Sequence, residues 1–297
     1  MKYKYRNHRF VPSQLRTLAS INEIIDEYQE QGFILTVRQL YYQMVSRDQI
    51  PNSERSYKQL INTVTNGRMA GHIDWDMIED RTRAFITRSR WDNPGEVLRA
   101  SARQFHMDMW STQPFRVYLV VEKEALVSVF ERVCHQFDVP LLAARGYPSV
   151  SVIRQFAEEQ VETSMAQGQK VVILHFGDHD PSGIDMTRDL VDRVNEFIQG
   201  EDWQLQRMAL NMDQIKKLQP PPNPAKKTDA RFKKYASDYG TQSSWELDAL
   251  PPTYLENLAR EAIQSFIEDE EWEERKTVIA DGRSKLLEMS KQFDSKE

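Results

Sequence analysis

The chain has 297 residues, of which 40% are hydrophobic and 28% charged, with a formal net charge of −6. No apolar run is long enough to cross a membrane, no hydrophobic secretory segment follows the basic start, and the single cysteine, Cys134, excludes an internal disulfide framework and a cysteine zinc cluster; a cytoplasmic protein is expected. The acidic average hides an asymmetry: residues 1–110 hold 16 Lys and Arg against 13 Asp and Glu, whereas the remainder holds 23 against 32, much of the acid lying in the run 268–274.

The first 110 residues read as mostly helical. Apolar residues at Leu15, Leu18, Ile21, Ile24, Ile25 and Tyr28 keep a helical period over 13–31, and Gly32 ends it. Thr36 and Gln39 form a capping box that opens a second helix, reaching about Arg47. On it Val37, Leu40, Tyr41, Met44 and Val45 share one apolar face. Tyr42 falls roughly 130° from the centre of that face, at about 100° per residue. Periodicity therefore predicts a core Tyr41 and an exposed Tyr42 phenol, with Arg38 one turn before it. A third helix is expected over 54–69, with Lys58, Asn62, Thr65 and Arg68 on its polar face. The run 71–75 suits a short strand or wing. Three helices and a wing in this order suggest a winged helix, a relative of helix-turn-helix DNA-binding modules, and make those four residues candidate DNA contacts. Residues 78–110 read as linker and helix, rich in arginine: Arg81, Arg83, Arg88, Arg90, Arg99 and Arg103.

From Phe115 onward the pattern becomes strand–helix alternation, with strands expected over 116–121, 141–144, 170–176 and 204–210. Such alternation implies an α/β domain with a mainly parallel sheet, whose ligands bind at the carboxyl ends of the strands. A basic, aromatic, proline-rich loop is expected over 219–240, and a helical tail beyond Pro252. The chain is thus divided into an N-terminal helical module, 1–110, and an α/β module with a helical extension, 111–297.

Both strand ends that carry acid face the same way. Glu122 closes the strand over 116–121, and Asp178 and Asp180 follow the strand over 170–176 in the run Gly177-Asp178-His179-Asp180-Pro181-Ser182-Gly183. Three carboxylates so placed suit a hard divalent cation such as Mg2+, or Mn2+, which keeps several waters and leaves room for phosphate oxygens. Asp178 equally suits capping of the helix that starts near Pro181. Glu124 and Asp185 are secondary candidates, and His175 and His179 flank the acids.

An acid after one strand and an Asp-x-Asp after a later one resembles the Toprim domain. The likeness is closest to the topoisomerase VI A subunit and its meiotic relatives, through Val121-Glu122-Lys123-Glu124-Ala125, Gly146-Tyr147-Pro148, the run from Gly177 to Ile184, and Trp245 to Leu250. It spans about residues 116–250. That resemblance implies that Glu122, Asp178 and Asp180 hold Mg2+. In this family a winged helix precedes the Toprim domain and carries a nucleophilic tyrosine in an Arg-x-x-Tyr-Tyr run, similar to Arg38-Gln39-Leu40-Tyr41-Tyr42 here. The resemblance makes Tyr42 the nucleophile and Arg38 its phosphate-steadying neighbour. It further implies double-stranded DNA as substrate, a 5′-phosphotyrosyl intermediate, and a homodimer in which one subunit's tyrosine works with the partner's metal site. In length and in residues 36–83 the chain resembles the small stand-alone mini-A proteins. No ATPase motif is visible, so strand passage would call for a separate B-type ATPase subunit. Two other functions fit the same residues: a Toprim nuclease that uses a metal-activated water and leaves no covalent link, and a non-catalytic DNA-binding protein.

Overall fold

A computed structural model describes residues 1–79, 89–144 and 146–293. The protein is of mixed α/β class, with helices around a parallel four-stranded sheet. Helix α1 (Pro12–Glu30) buries Leu18, Ile21, Ile24, Ile25 and Tyr28 at the expected spacing. After the short strand β1 (Leu35–Thr36), Thr36 caps helix α2 (Val37–Ser46). Its Oγ1 accepts from the Gln39 amide at 3.2 Å, and Gln39 Oε1 accepts from the Thr36 amide at 2.8 Å, the reciprocal pair that the sequence announces. Ser53 caps α3 (Glu54–Met69), accepting from the Ser56 amide at 3.1 Å.

The strand or wing expected over 71–75 does not form. Gly71 turns the chain with φ 78°, the His72 amide bonds back to the Gly67 carbonyl at 2.8 Å, and Ile73 is drawn into the core. Asp74 then caps a 3-10 turn (Trp75–Met77), and the strand comes later as β2 (Ile78–Glu79), paired parallel to β1. Among the described residues no antiparallel hairpin follows α3. Arg81, Arg83 and Arg88 lie outside the described residues. Helix α4 (Pro94–Gln104) starts at an Asn93 cap.

The sheet joins β3 (Phe115–Val121), β4 (Leu141–Ala143), β5 (Lys170–Phe176) and β6 (Trp203–Ala209) in the order β4-β3-β5-β6, all parallel. Crossovers run through α5 (Val127–Gln136), through α6 (Val150–Gln155) continued by a π-helical stretch into α7 (Thr163–Ala166), and through α8 (Pro181–Phe197). Strand residues alternate between two apolar layers. Val117, Leu119, Val121, Val172 and Leu174 pack with α5 and the N-terminal helices, while Tyr118, Val120, Val171 and Ile173 pack with α6 and α8. The first layer is continuous from α1 through the sheet to the C-terminal helices, so both modules share one core.

Beyond β6 come α9 (Met212–Leu218), β7 (Asn223–Pro224), α10 (Phe232–Tyr239) and β8 (Ser243–Ser244). The expected open basic loop over 219–240 is therefore partly structured: β7 pairs antiparallel with β8, and α10 buries Tyr235 between them. Lys226, Lys227, Lys233 and Lys234 remain exposed. Helices α11 (Pro252–Gln264) and α12 (Asp269–Ser290) close the fold. Helix α4 packs along α12, where Gly282 admits the Phe105 ring, and Trp110 is fully buried 5.3 Å from the Trp272 ring. No described helix is long and apolar enough to cross a membrane.

Candidate active site

The carboxyl ends of β3 and β5 lie side by side, since Val121 is in register with Phe176. Parallel pairing thus places Glu122 against the turn that carries Asp178 and Asp180. Glu122 Oε2 accepts from the Asp178 amide at 2.9 Å. Asp180 caps α8, its Oδ1 accepting from the Gly183 amide at 2.6 Å and from Ser182 Oγ at 2.9 Å; the cap is Asp180, and Asp178 is free of that duty. Gly183 lets the helix start this close: a Cβ there would run into the Asp178 carbonyl oxygen. Arg207 on β6 ties the turn down. Its guanidinium donates to the carbonyls of Asp178 at 2.6 Å and of Gly177 and Gly183, each at 3.1 Å.

Asp178 is buried. Its Oδ1 accepts from the Leu247 amide at 2.7 Å, and its Oδ2 lies 3.1 Å from Lys123 Nζ. Burial raises the proton affinity of both Asp178 and Glu122. Lys123 opposes the shift at Asp178, and the charge of Asp180 adds to it at Glu122. Two neighbouring carboxyls, Glu122 and Asp178, whose burial disfavours ionisation are what a divalent cation relieves. Among the described residues no three His, Cys, Asp or Glu side chains are gathered into a finished ligand cage. Mg2+ needs none, because it binds through one or two carboxylates and keeps its waters. The oxygen donors of Glu122, Asp178 and Asp180 fit that ion.

Lys123, Glu246 and Asp248 complete the cluster, and sequence reasoning gave none of them a role. Lys123 Nζ contacts Glu246 Oε2 and lies 3.0 Å from Asp248 Oδ1. Arg38, arriving on α2, contacts the same Glu246 Oε2, and its Nε is 2.8 Å from Asp248 Oδ2, a contact more ionic than aligned. Two cations from two modules thus share two acids. Burial opposes the charge on Glu246, yet Lys123 and Arg38 outweigh it and hold that carboxyl down at about 2. The signals for these residues were present: Lys123 stands at a strand end between two acids, and Glu246 and Asp248 sit within the motif Trp245 to Leu250.

Tyr42 corrects the periodicity argument. Its side chain is not an exposed phenol: the residue keeps only 4% of its accessible surface, with its ring 5.2 Å from that of Tyr41 and α2 packed against the segment that carries Glu246 and Asp248. Arg38 remains beside it, its guanidinium 5.9 Å from the ring centroid. Burial, then the charges of Asp248 and Glu246, raise the phenol's proton affinity, and Arg38 and Lys123 offset part of this. Tyr41 is buried as expected, but its hydroxyl is anchored as well, donating to Asn52 Oδ1 at 2.9 Å and accepting from the Ser53 amide at 2.7 Å.

One cavity of about 770 Å³ joins these groups. Arg38, Tyr41, Tyr42, Glu122, Lys123, Asp178, Asp180, Glu246 and Lys226 all line it. The candidate nucleophile and the candidate metal ligands therefore open into one space within one chain. Glu124 and Asp185 stay outside it. Glu124 lines a separate cavity with Thr65 and Arg68, and Asp185 is engaged by Tyr147, Arg188 and Arg231.

Of the four candidate DNA contacts on α3, Lys58, Asn62 and Thr65 are exposed, with Lys58 2.7 Å from Glu54. Arg68 departs from expectation. It turns inward, donating to the Trp75 and Ile78 carbonyls with its guanidinium 5.4 Å from the Trp75 ring, so it braces the turn after α3. The two histidines are structural. His175 is fully buried with Nδ1 3.0 Å from Thr187 Oγ1, and His179 is buried with Nδ1 2.8 Å from the Tyr235 hydroxyl. Comparison with models of known protein families and with curated proteins finds no match to this chain.

Proposed function

We propose that this protein cleaves double-stranded DNA by metal-dependent transesterification, with Tyr42 as nucleophile. The observation that carries the reading is the shared cavity, which opens onto a tyrosine–arginine pair and onto three strand-end carboxylates at once. In this reading the N-terminal helices hold the duplex, with Lys58, Asn62 and Thr65 toward it, and a Toprim-like sheet supplies the acids. Glu122, Asp178 and Asp180 would hold Mg2+, or Mn2+, which when bound stabilises charge on the attacking and leaving oxygens. Tyr42 Oη forms a bond to phosphorus as the bond to the 3′ oxygen breaks. The phenolic proton is lost and the 3′ oxygen gains one, leaving a 5′-phosphotyrosyl link. Arg38 steadies the phosphate beside the ring, and the carboxylate end of the cavity orients the strand. Breaking both strands takes two such sites, hence a pair of copies, and strand passage takes an ATPase partner in trans.

The test is covalent trapping. The protein is incubated with supercoiled plasmid and Mg2+ or Mn2+, stopped with denaturant, and assayed for protein-linked DNA, with Tyr42→Phe alongside. Linked DNA that disappears in the variant supports the proposal. The burial of Tyr42 and its raised proton affinity favour a second reading, a hydrolytic Toprim nuclease, and metal-dependent cleavage with free ends in both proteins would establish that one. DNA binding without cleavage in any metal would leave a non-catalytic binding protein.

A further inference from the structure

Glu246 and Asp248 grip the same two cations but are not equivalent. Asp248 is sealed off, with no side-chain exposure, and touches Arg38 and Lys123 from beneath at 2.8 and 3.0 Å. Glu246 keeps 26% side-chain exposure, lines the cavity, and meets both cations with one carboxylate oxygen. Removing Glu246 would leave Arg38 and Lys123 over Asp248, with the acidic partner they share on the cavity side gone. Asp178 also touches Lys123, but it has its own anchor in the Leu247 amide.

We propose that Arg38 and Lys123 form a phosphodiester subsite built across the two modules, and that the Glu246 carboxylate occupies it as an internal stand-in for the phosphate. The chemistry matches, since a guanidinium and an ammonium that share one carboxylate oxygen present the donors that a phosphate oxygen takes. The geometry matches too. Lys226 lines the same cavity, is exposed, and sits on the loop tied to Glu246 by the β7–β8 pairing, so it extends the cationic track toward the mouth. The polar side chains of Asn52 and Asn223, 2.7 Å apart, line the passage between. Glu246 occupies the cavity side of Arg38 and Lys123 until the DNA backbone displaces it. Displacement clears the side of the cavity that Arg38 and Tyr42 line, so phosphate binding brings the strand to the phenol. This inference rests on the proposed function for the identity of the phosphate, but not for the subsite itself.

The experiment compares wild type with Glu246→Gln in EDTA, with no metal present. Binding of a fluorescent duplex oligonucleotide is followed by anisotropy across a salt series, and binding of inorganic phosphate by calorimetry. The expected result is a gain of about 3- to 10-fold in affinity for Glu246→Gln at low salt, with the log K against log salt slope steeper by about one contact. Adding Arg38→Gln should cancel the gain. If Glu246→Gln is poorly folded by circular dichroism, Glu246→Ser replaces it. A gain for inorganic phosphate with no duplex binding by either protein would uphold the subsite and remove the DNA reading. No gain for either probe, or a loss, would overturn the proposal and leave Glu246 as a purely structural anchor.

Discussion

Two sides of one short turn differ in kind. Asp178 and Asp180 look into a seam of charges that joins α2 to the strand ends, whereas His179, between them, looks into a neutral aromatic box. In the box the His179 ring lies 4.6 Å from Tyr239, 5.5 Å from Tyr235 and 5.9 Å from Trp245. The backbones of His179 and Trp245 exchange hydrogen bonds at 2.8 and 3.0 Å. Burial, with help from Arg207, keeps the His179 ring neutral down to about 4. His179 Nδ1 and the Tyr235 hydroxyl have fixed partners there, the hydroxyl also meeting the carbonyls of His179 and Ser243 at 3.0 Å. In the seam, two cations are shared among three acids, and the partners are exchangeable for others of the same charge. The box pins the segment 243–248 to the turn, so the Glu246 side chain can leave the seam while its backbone stays put. A static box beside an exchangeable seam is the division of labour expected of a scaffold beside a site.

The largest expected effect separates these two roles at a single residue. Asp180→Asn should abolish cleavage, because it removes a charge from the carboxylate cluster. It should leave stability within about 0.5 kcal/mol, because asparagine caps helices as well as aspartate does. Plasmid cleavage and denaturant unfolding on the same preparation check both halves. Breaking the floor of the seam comes next. Asp248→Ala removes the buried acid beneath Arg38 and Lys123, which keep Glu246, and should cost about 2–3 kcal/mol in denaturant unfolding. A value near zero would mean the seam carries no structural load. The box should respond less. Tyr235→Phe removes the hydroxyl that meets His179 and the Ser243 carbonyl, and should cost about 1–2 kcal/mol while leaving DNA affinity unchanged. A fall in affinity would show that box and seam are coupled. The smallest effect lies far from both. Cys134 is buried on α5 and its thiol is pushed up to about 12, so it should resist thiol reagents at neutral pH until the protein unfolds.

Much of this was legible in the residues. The helical period of α1, the capping box at Thr36, the bounds of α3 and β5, and the strand–helix alternation all followed from local pattern. The juxtaposition of Glu122 with Asp178 and Asp180 followed from a parallel sheet. What escaped were long-range events. Helix α2, with Tyr42 buried on it, packs against a segment some 200 residues away (Glu246 contacts Arg38 across a separation of 208) that no helical wheel contains. Arg68 was assigned to the solvent face by its angle, yet its long side chain reaches back to carbonyls that only the fold brings near. The stretch 71–75 has strand-like residues, but Ile73 gains more by entering the core beside Gly67. The loop over 219–240 reads as polar because its lysines are counted before its one buried tyrosine. In each case tertiary burial outweighed a local preference.

The most direct measurement maps the link itself. After cleavage in Mg2+ or Mn2+ and a denaturing stop, nuclease and protease digestion followed by mass spectrometry identifies the peptide that retains a nucleotide. The account predicts a 5′-nucleotide on the phenolic oxygen of Tyr42. A nucleotide on Tyr41 or on any other residue, or cleaved DNA with no modified peptide, would contradict it.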